Sequence, residues 1–192
     1  FKRLNEPDVS YHGVVSTEAL KEAAFIGRAR VVPLRNMGAA LSPFNAFLIL
    51  QGIETLPVRM DRINDNTLAI AKHLQAHPKV SWVKYAGLAD APDHHLVKKY
   101  MRGHASGILT FGVKSGRTGG ERFLDALKLV IRLVNIGDAR SLATHPASTT
   151  HRQLSPAELA SAGVSEDMVR LSIGLEHIED LKADLDQALA AS

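Results

Sequence analysis

The segment that decides the fold is MVRLSI, residues 168–173, in which apolar and polar side chains alternate from Val169 onward. Residues two apart in an extended strand point to the same face, so Val169 and Ile173 face one way and Arg170 and Ser172 the other. This pattern predicts a strand with one face in a core and a cation on the opposite face.

Other segments supply the partners that such a strand needs. Val80–Tyr85 and Ile108–Val113 are short and rich in β-branched or aromatic residues, which predicts two further strands. Ile178–Ala188 carries apolar residues three and four apart, which predicts a final helix. Ser155–Gly163 begins with a capping box and Pro at the first turn and ends at Gly, so it predicts a short helix.

The first third of the chain predicts helices. One covers about Thr17–Ala29, with Ser16 as its N-cap. Ser42-Pro43 begins a second helix that is apolar on nearly every side, which indicates burial in a large core or against another subunit. A third, amphipathic helix extends from Met60 to His77 and is stopped by Pro78.

Residues 116–134 combine a predicted loop with a predicted helix. Gly116–Gly120 predicts a loop, and apolar residues three and four apart over Glu121–Val134 predict a helix that ends in a glycine-containing turn. Two long N-terminal helices followed by strands and helices predict an α/β fold with helices on one face of a small sheet.

Composition excludes several classes of function. The chain has 192 residues, 45% hydrophobic and 22% charged, which is ordinary for a globular domain. No apolar run approaches the roughly 20 residues of a membrane helix. The absence of cysteine excludes disulfides and zinc–thiolate sites and fits a reducing compartment. A net charge of +3, spread along the chain, and 5% aromatic residues disfavour nucleic-acid binding.

The chain starts at Phe1, with neither an initiator Met nor a signal peptide. We expect the sequence to be the inner or C-terminal piece of something longer. A fragment, a processed product and a deliberately shortened chain remain open.

Three places hold candidate functional residues. Arg170 can bind a ligand carboxylate through two parallel hydrogen bonds, although an arginine paired on a solvated strand face is also ordinary. Asn135 can bind a carboxylate or an amide, although it can also form part of a helix cap. His145–His151 holds two histidines and three hydroxyls, but its spacing fits no common metal or nucleophile motif, which leaves a hydroxyl-rich loop.

These segments together resemble one family. Three of them match, in order and spacing, the C-terminal signature of the PLP-dependent enzymes of Cys/Met metabolism, namely Asn135–Leu142, His145–His151 and Val169–Glu176. Gly38–Phe47 and Tyr11–Val15 resemble the same family, so the resemblance covers essentially the whole chain. It implies the C-terminal portion of a fold-type I PLP-dependent transferase, with two long helices leading into a small, mainly antiparallel sheet and helices on one face.

The resemblance also implies a division of the chain and roles for individual residues. Residues 1–41 form an arm and first helix on the side of the cofactor domain, residues 42–78 form long connecting helices, and residues 79–192 form the C-terminal α/β domain. Arg170 binds the α-carboxylate of an amino-acid substrate, and Asn135 is its polar partner. Thr150 belongs to the loop that closes this side of the pocket.

Within the family, the Asn135–Asp138 segment and the Ser148–Thr150 segment resemble O-acetylhomoserine sulfhydrylases. Lyases and cystathionine γ-synthases usually have Ser in place of Asn135. A sulfhydrylase converts O-acetyl-L-homoserine and sulfide or a thiol into homocysteine or methionine and acetate, in the methionine biosynthesis pathway. Its pyridoxal 5'-phosphate is held by a lysine as a Schiff base and serves as an electron sink.

The chain departs from the family pattern at the cofactor. The family lysine follows Ser-x-Thr, and none of the lysines here does. We therefore expect no catalytic, cofactor-binding or metal-binding residue in this chain, a missing N-terminal half, and no activity of the chain alone.

The resemblance further implies a cytoplasmic homotetramer with a small amino-acid substrate and with no nucleic-acid or membrane partner. Two alternatives remain. The parent protein is a methionine γ-lyase or a cystathionine γ-synthase, or the chain is a non-catalytic folding and assembly domain whose apolar helix, Pro43–Leu56, drives association.

Overall fold

The structure, a computed structural model, describes residues 1–192 and divides them into two units, Phe1–Ile53 and Glu54–Ser192. The α-helices are α1 (Lys2–Asn5), α2 (Ser16–Leu20), α3 (Ala24–Ala29), α4 (Arg35–Met37), α5 (Pro43–Glu54), α6 (Leu56–Gln75), α7 (His94–Tyr100), α8 (Gly116–Ala126), α9 (Pro156–Ser161) and α10 (Ile178–Ala191). The strands are β1 (Val80–Lys84), β2 (Ile108–Val113), β3 (Ile131–Arg132), β4 (Leu142–Thr144) and β5 (Met168–Ser172). None of the helices is both long enough and apolar enough to cross a membrane.

The first unit contains short helices instead of the continuous one predicted over Thr17–Ala29. Helix α2 ends at Leu20 because Lys21 takes a positive φ of 47°, and a 3₁₀ turn separates α2 from α3. Ser16 lies inside α2, and the N-cap is Val15, which has no side-chain acceptor. The predicted cap was therefore wrong by one residue.

Helix α5 begins where the sequence predicts and differs in its surroundings. The Ser42 hydroxyl accepts a hydrogen bond from the Asn45 backbone N–H at 3.1 Å, which confirms the predicted N-terminus. No residue of α5 is buried, however, and Phe44 is 68% exposed. A helix that is apolar on every side needs cover on every side, and the large apolar side chains of α5 remain at least half exposed.

The second unit is built on a five-stranded sheet in the order β1-β2-β5-β4-β3. The neighbours pair antiparallel except for β3 and β4, which pair parallel. The predicted α/β fold with a mainly antiparallel sheet is confirmed. The division into residues 1–41, 42–78 and 79–192 stays a prediction.

The core lies on one face of this sheet. Val169, Leu171 and Ile173 are fully buried there, as the alternation predicts, and the cluster that contains them includes residues of α6, α8 and α10. Phe111 of β2 and Phe123 of α8 meet edge to face, with ring centroids 5.5 Å apart. The opposite face of the sheet is thereby left for Arg170 and its neighbours.

The predicted helix over Glu121–Val134 was wrong at both ends. Helix α8 already begins at Gly116, so the stretch predicted as a loop is helical, and it ends at Ala126 because Leu127 is extended. The side chain of Asp184 on α10 then accepts hydrogen bonds from the backbone N–H groups of residues 128, 129 and 130. Those three amides are therefore held by α10, and the chain continues into β3.

Candidate functional site

A row of polar side chains crosses the sheet on the face opposite the core. The strand register pairs Lys84 with Thr110, Thr110 with Arg170, and Arg170 with Thr144. Paired residues of neighbouring strands point to the same face, so the four side chains form one row. Arg170 is half-buried within it and lies on a strand that is hydrogen-bonded on both sides.

The loop between β3 and β4 brings Asn135 to Arg170. The Nη2 of Arg170 donates to the backbone carbonyl of Asn135 at 3.4 Å. The Asn135 side chain lies on its own loop, where its Oδ1 accepts a hydrogen bond from the Ile136 N–H at 2.9 Å. Hydrogen bonds from Arg140, and a further one from the Asn135 side chain, lower the pKa of Asp138. The two predicted residues thus meet, through the main chain of Asn135.

Thr150 lies on the loop that follows β4. Its hydroxyl is exposed and lies 2.8 Å from Nδ1 of His151. The same loop is tied back to the polar row, because the hydroxyls of Thr144 and Thr149 are 3.0 Å apart and Thr149 also donates to the His145 carbonyl at 2.8 Å. No hydrogen bond joins Thr150 to Arg170, so the structure places Thr150 on a loop anchored beside the site.

His145 is a structural residue at the base of that loop. It is completely buried, its Nε2 lies 2.8 Å from the Glu166 carbonyl, and its Nδ1 lies 2.8 Å from the Ser148 hydroxyl. These partners indicate that Nε2 carries the hydrogen and Nδ1 accepts. Burial lowers the pKa of His145, so the ring is neutral near pH 7. No group of three His, Cys, Asp or Glu side chains in the structure could hold a metal ion.

A buried hydrogen-bond network beneath the site was missed by the sequence reasoning. The Glu176 carboxylate accepts hydrogen bonds from the Ser141 N–H at 2.6 Å and from the Ser141 hydroxyl at 2.8 Å. The Ser141 hydroxyl in turn accepts from the Gly174 N–H at 2.8 Å, and the Asn66 amide donates to the carbonyls of Gly174 and Glu176. Gly174 and Glu176 directly follow the alternating strand, and this position was the signal in the sequence that could have pointed to the network.

Comparison with known proteins agrees with this architecture. Residues 8–190 match the family model described as Cys/Met metabolism PLP-dependent enzyme. O-acetyl-L-homoserine sulfhydrylase 1 of Thermus thermophilus is 54% identical over 187 residues, which cover 97% of this chain and 44% of that protein. The homocysteine synthase of Schizosaccharomyces pombe is 46% identical over 189 residues, which cover 98% of this chain and 44% of that protein.

A solved structure shows the same fold. A crystal structure described as an O-acetylhomoserine (thiol)-lyase of Campylobacter jejuni, with a pyridoxyl-lysine monophosphate, matches with a TM-score of 0.85 and 44% identity. The match covers 99% of this chain and 45% of that one, so this chain spans a little under half the length of the relatives it matches. Sequence and fold agree, and the chain belongs to the Cys/Met metabolism family of PLP-dependent enzymes.

Proposed function

We propose that this chain forms the substrate-carboxylate side of an O-acetylhomoserine sulfhydrylase. That enzyme converts O-acetyl-L-homoserine and sulfide or a thiol into homocysteine or methionine and acetate. The observation that carries the proposal is Arg170, half-buried on a central strand, facing away from the core and next to the Asn135 carbonyl.

Arg170 has the chemistry to hold the α-carboxylate. A guanidinium presents its N–H groups in a planar fork that matches the two carboxylate oxygens. The bond to Asn135 uses Nη2 at 3.4 Å, which is long for an N–H···O bond, so a carboxylate is a stronger acceptor for the same group. Because β5 is paired on both sides, the backbone at Arg170 is held rigidly, and a carboxylate bound by its guanidinium would give the substrate a defined orientation.

Asn135 and Thr150 complete the proposed site. Asn135 lies within hydrogen-bonding distance of Arg170, and its amide can turn from its own loop to a ligand carboxylate. Thr150 lies at an exposed point of the next loop, and its only hydrogen bond in the structure is to the adjacent His151. Both residues are placed to adjust when an anion reaches Arg170.

The residues of this chain do not fit the cofactor itself. Lys84 shares the polar row with Arg170, but its amino group lies 5.3 Å from the ring centre of Trp82. Lys79 donates to carbonyls at the end of α10. The glycine-rich stretch 116–120 lies in helix α8 and forms no phosphate-binding loop. We therefore assign no cofactor contact and no catalytic residue to this chain and derive no step through the cofactor.

The names of the relatives favour the sulfhydrylase over the alternatives. They are described as O-acetyl-L-homoserine sulfhydrylases or homocysteine synthases, and Asn135 agrees with that subfamily. A methionine γ-lyase or cystathionine γ-synthase is not favoured. To test the reaction, the enzyme that contains this chain is assayed with O-acetylhomoserine plus sulfide, and separately with methionine or cysteine alone. Turnover of the latter pair only would refute the sulfhydrylase.

The role of Arg170 is tested in the same assay. Removing a charged, two-point contact costs about 3 kcal/mol, so Arg170→Ala should raise KM for O-acetylhomoserine roughly 100-fold. Arg122→Ala, which removes an exposed arginine of α8, is the matched control and should leave KM unchanged. An unchanged KM in Arg170→Ala would refute the assignment.

Cofactor binding by the chain alone is tested spectroscopically. Residues 1–192 are mixed with pyridoxal phosphate, dialysed, and examined in the visible range. We expect no retained absorption band, because none of the lysines follows the Ser-x-Thr pattern of the family's cofactor lysine. A retained band would show that one of the lysines above has been misjudged.

A second candidate role is folding and assembly, and the exposed apolar surface of α5 favours it. The helix exposes six large apolar side chains by more than half, namely Phe44, Phe47, Leu48, Ile49, Leu50 and Ile53. Large apolar surfaces mark interaction sites, which supports the proposal of a homo-oligomer. Light scattering tests this, and a monomer that persists at high concentration would argue against assembly through α5.

A further inference from the structure

The network around Ser141 has a function beyond holding the fold together. We infer that Glu176 is a positioning residue, which fixes the Asn135 loop against strand β5 and thereby sets the geometry of the carboxylate site at Arg170. The inference rests on the proposed function, since it concerns recognition of a substrate α-carboxylate. Glu176 itself does not contact Arg170 through any hydrogen bond in the structure.

Two arms of the chain, which run antiparallel where they pair, connect the site with this network. One arm starts at Asn135 and reaches Ser141, and the other starts at Arg170 and reaches Glu176. At the near end the arms are joined only by the long bond from Arg170 to the Asn135 carbonyl. At the far end they are joined by both hydrogen bonds of the Glu176 carboxylate, at 2.6 and 2.8 Å. The strong junction is therefore the distant one.

The arms also touch through their backbones. A Cβ added to Gly174 would lie 2.6 Å from the carbonyl carbon of Arg140, so no side chain fits between the arms at this point. The Leu175 N–H donates to the Ala139 carbonyl at 2.8 Å. Ser141 is completely buried, which keeps water out of its bonds to Glu176. These contacts thus add to the β3–β4 pairing in fixing the position of the Asn135 loop.

The backbone of Glu176 is held separately from its side chain. The Asn66 amide, on α6, donates to the Glu176 and Gly174 carbonyls, each at 3.0 Å. Replacing the Glu176 side chain therefore leaves the end of β5 in place and removes the two hydrogen bonds that tie Ser141 to Glu176, so the Asn135 loop is held less tightly. For this reason we expect Glu176 variants to fold and to change the site.

A conservative variant separates charge from shape. In Glu176→Gln, the side-chain oxygen can still accept from the Ser141 N–H, but the new amide is a donor that faces the Ser141 hydroxyl. That hydroxyl already accepts from Gly174, so its own hydrogen loses its acceptor. Glu176→Gln should therefore keep part of the junction, and Glu176→Ala should lose all of it.

The test uses the holoenzyme that contains this chain, with O-acetyl-L-homoserine and its α-carboxamide as paired substrates. For Glu176→Ala we expect KM for the acid to rise about 10-fold, kcat to stay within about 3-fold, and KM for the carboxamide to change little. Glu176→Gln should fall in between. Glu179→Ala removes an exposed glutamate and should match the wild type. Leu185→Ala destabilises the core and should not alter the preference for the acid.

Two results would overturn the inference. One is an equal loss with the acid and the carboxamide. The other is the same change of preference in Leu185→Ala. If the wild-type enzyme shows no sulfhydrylase activity, the proposed function fails, and Glu176 is then judged by calorimetric binding of L-methionine against L-methioninamide, which needs no turnover. Equal weakening of both ligands, or no weakening of either, would reject the role of Glu176. If Glu176→Ala does not fold, Glu176→Gln carries the comparison.

Discussion

Replacing Asp184 should destabilise the second unit strongly, because one buried carboxylate holds three consecutive backbone amides. It accepts from the N–H groups of Lys128 at 2.9 Å, Leu129 at 3.0 Å and Val130 at 2.9 Å. The residue is only 6% exposed, and the bond to Val130 is fully buried. In Asp184→Ala all three donors lose their acceptor.

The magnitude follows from how well water can replace the carboxylate. The buried Val130 donor should cost about 2–3 kcal/mol, and the two half-buried donors, which water can reach, about 0.5–1 kcal/mol each. Asp184→Ala should therefore lower the free energy of unfolding by about 3–5 kcal/mol. Asp184→Asn keeps one accepting oxygen and turns a donor toward the amides, so it should lose about 2–3 kcal/mol.

Urea denaturation of residues 1–192 at pH 8 measures the loss, and amide exchange locates it. Asp186→Asn, on the same helix but with a side chain 46% exposed, is the control and should change stability by less than about 1 kcal/mol. Exchange of the amides of residues 128–130 should accelerate in Asp184→Ala. A loss below about 1 kcal/mol, or unchanged exchange at those amides, would refute the reasoning.

Three further predictions concern pH, close approach and core packing. Burial lowers the pKa of His145 and of His77 below 6.5. As the pH falls, the unfolded chain therefore binds protons at these histidines before the folded chain does. The free energy of unfolding is highest above pH 6.5 and decreases below it, by up to about 1.4 kcal/mol per pH unit for each group. Urea titrations at pH 5.5 and 7.5 should show this fall, and it should be smaller in His145→Gln. Gly174→Ala should lower the free energy of unfolding by at least about 2 kcal/mol, because the new Cβ would force the Asn135 loop away. Gly52→Ala, on a helix with open space around the new Cβ, should raise it by about 0.5–1 kcal/mol. Equal effects of the two substitutions would contradict the clash at Gly174. Phe123→Ala should lower the unfolding free energy by about 3–5 kcal/mol, and a loss under about 1 kcal/mol would contradict its place in the core.

Local patterns predicted the sheet better than the segment before it. The strand Met168–Ser172 was correct because a period of two has no helical counterpart at that length. The predicted helix over Glu121–Val134 was wrong because the apolar spacing continues past Ala126 while the helix does not. The backbone N–H groups of residues 128–130 donate there to Asp184, which lies more than fifty residues later in the chain. No local sequence pattern can indicate that contact.

In the candidate site, too, some residues could be predicted from local patterns and others could not. Arg170 was predicted from alternation and resemblance together, and its role stays a prediction. Its proximity to Asn135 follows from a strand order that brings together residues 35 apart in sequence. The roles of Ser141 and Asn66 were missed, because a buried serine or asparagine has no distinctive spacing. Their importance lies in partners on other elements, which only the folded chain reveals.

The strand order gives the two halves of the proposed carboxylate site different freedom to evolve. Arg170 lies on β5, the middle strand of five, where a change of backbone would disrupt two neighbours at once. Asn135 follows β3, a two-residue strand at the edge, where insertions and substitutions are tolerated most easily. Selection for a longer or bulkier amino acid can therefore act on the edge loop while the anchor for its carboxylate is inherited unchanged, so one scaffold can serve a series of substrates that differ only beyond the α-carbon.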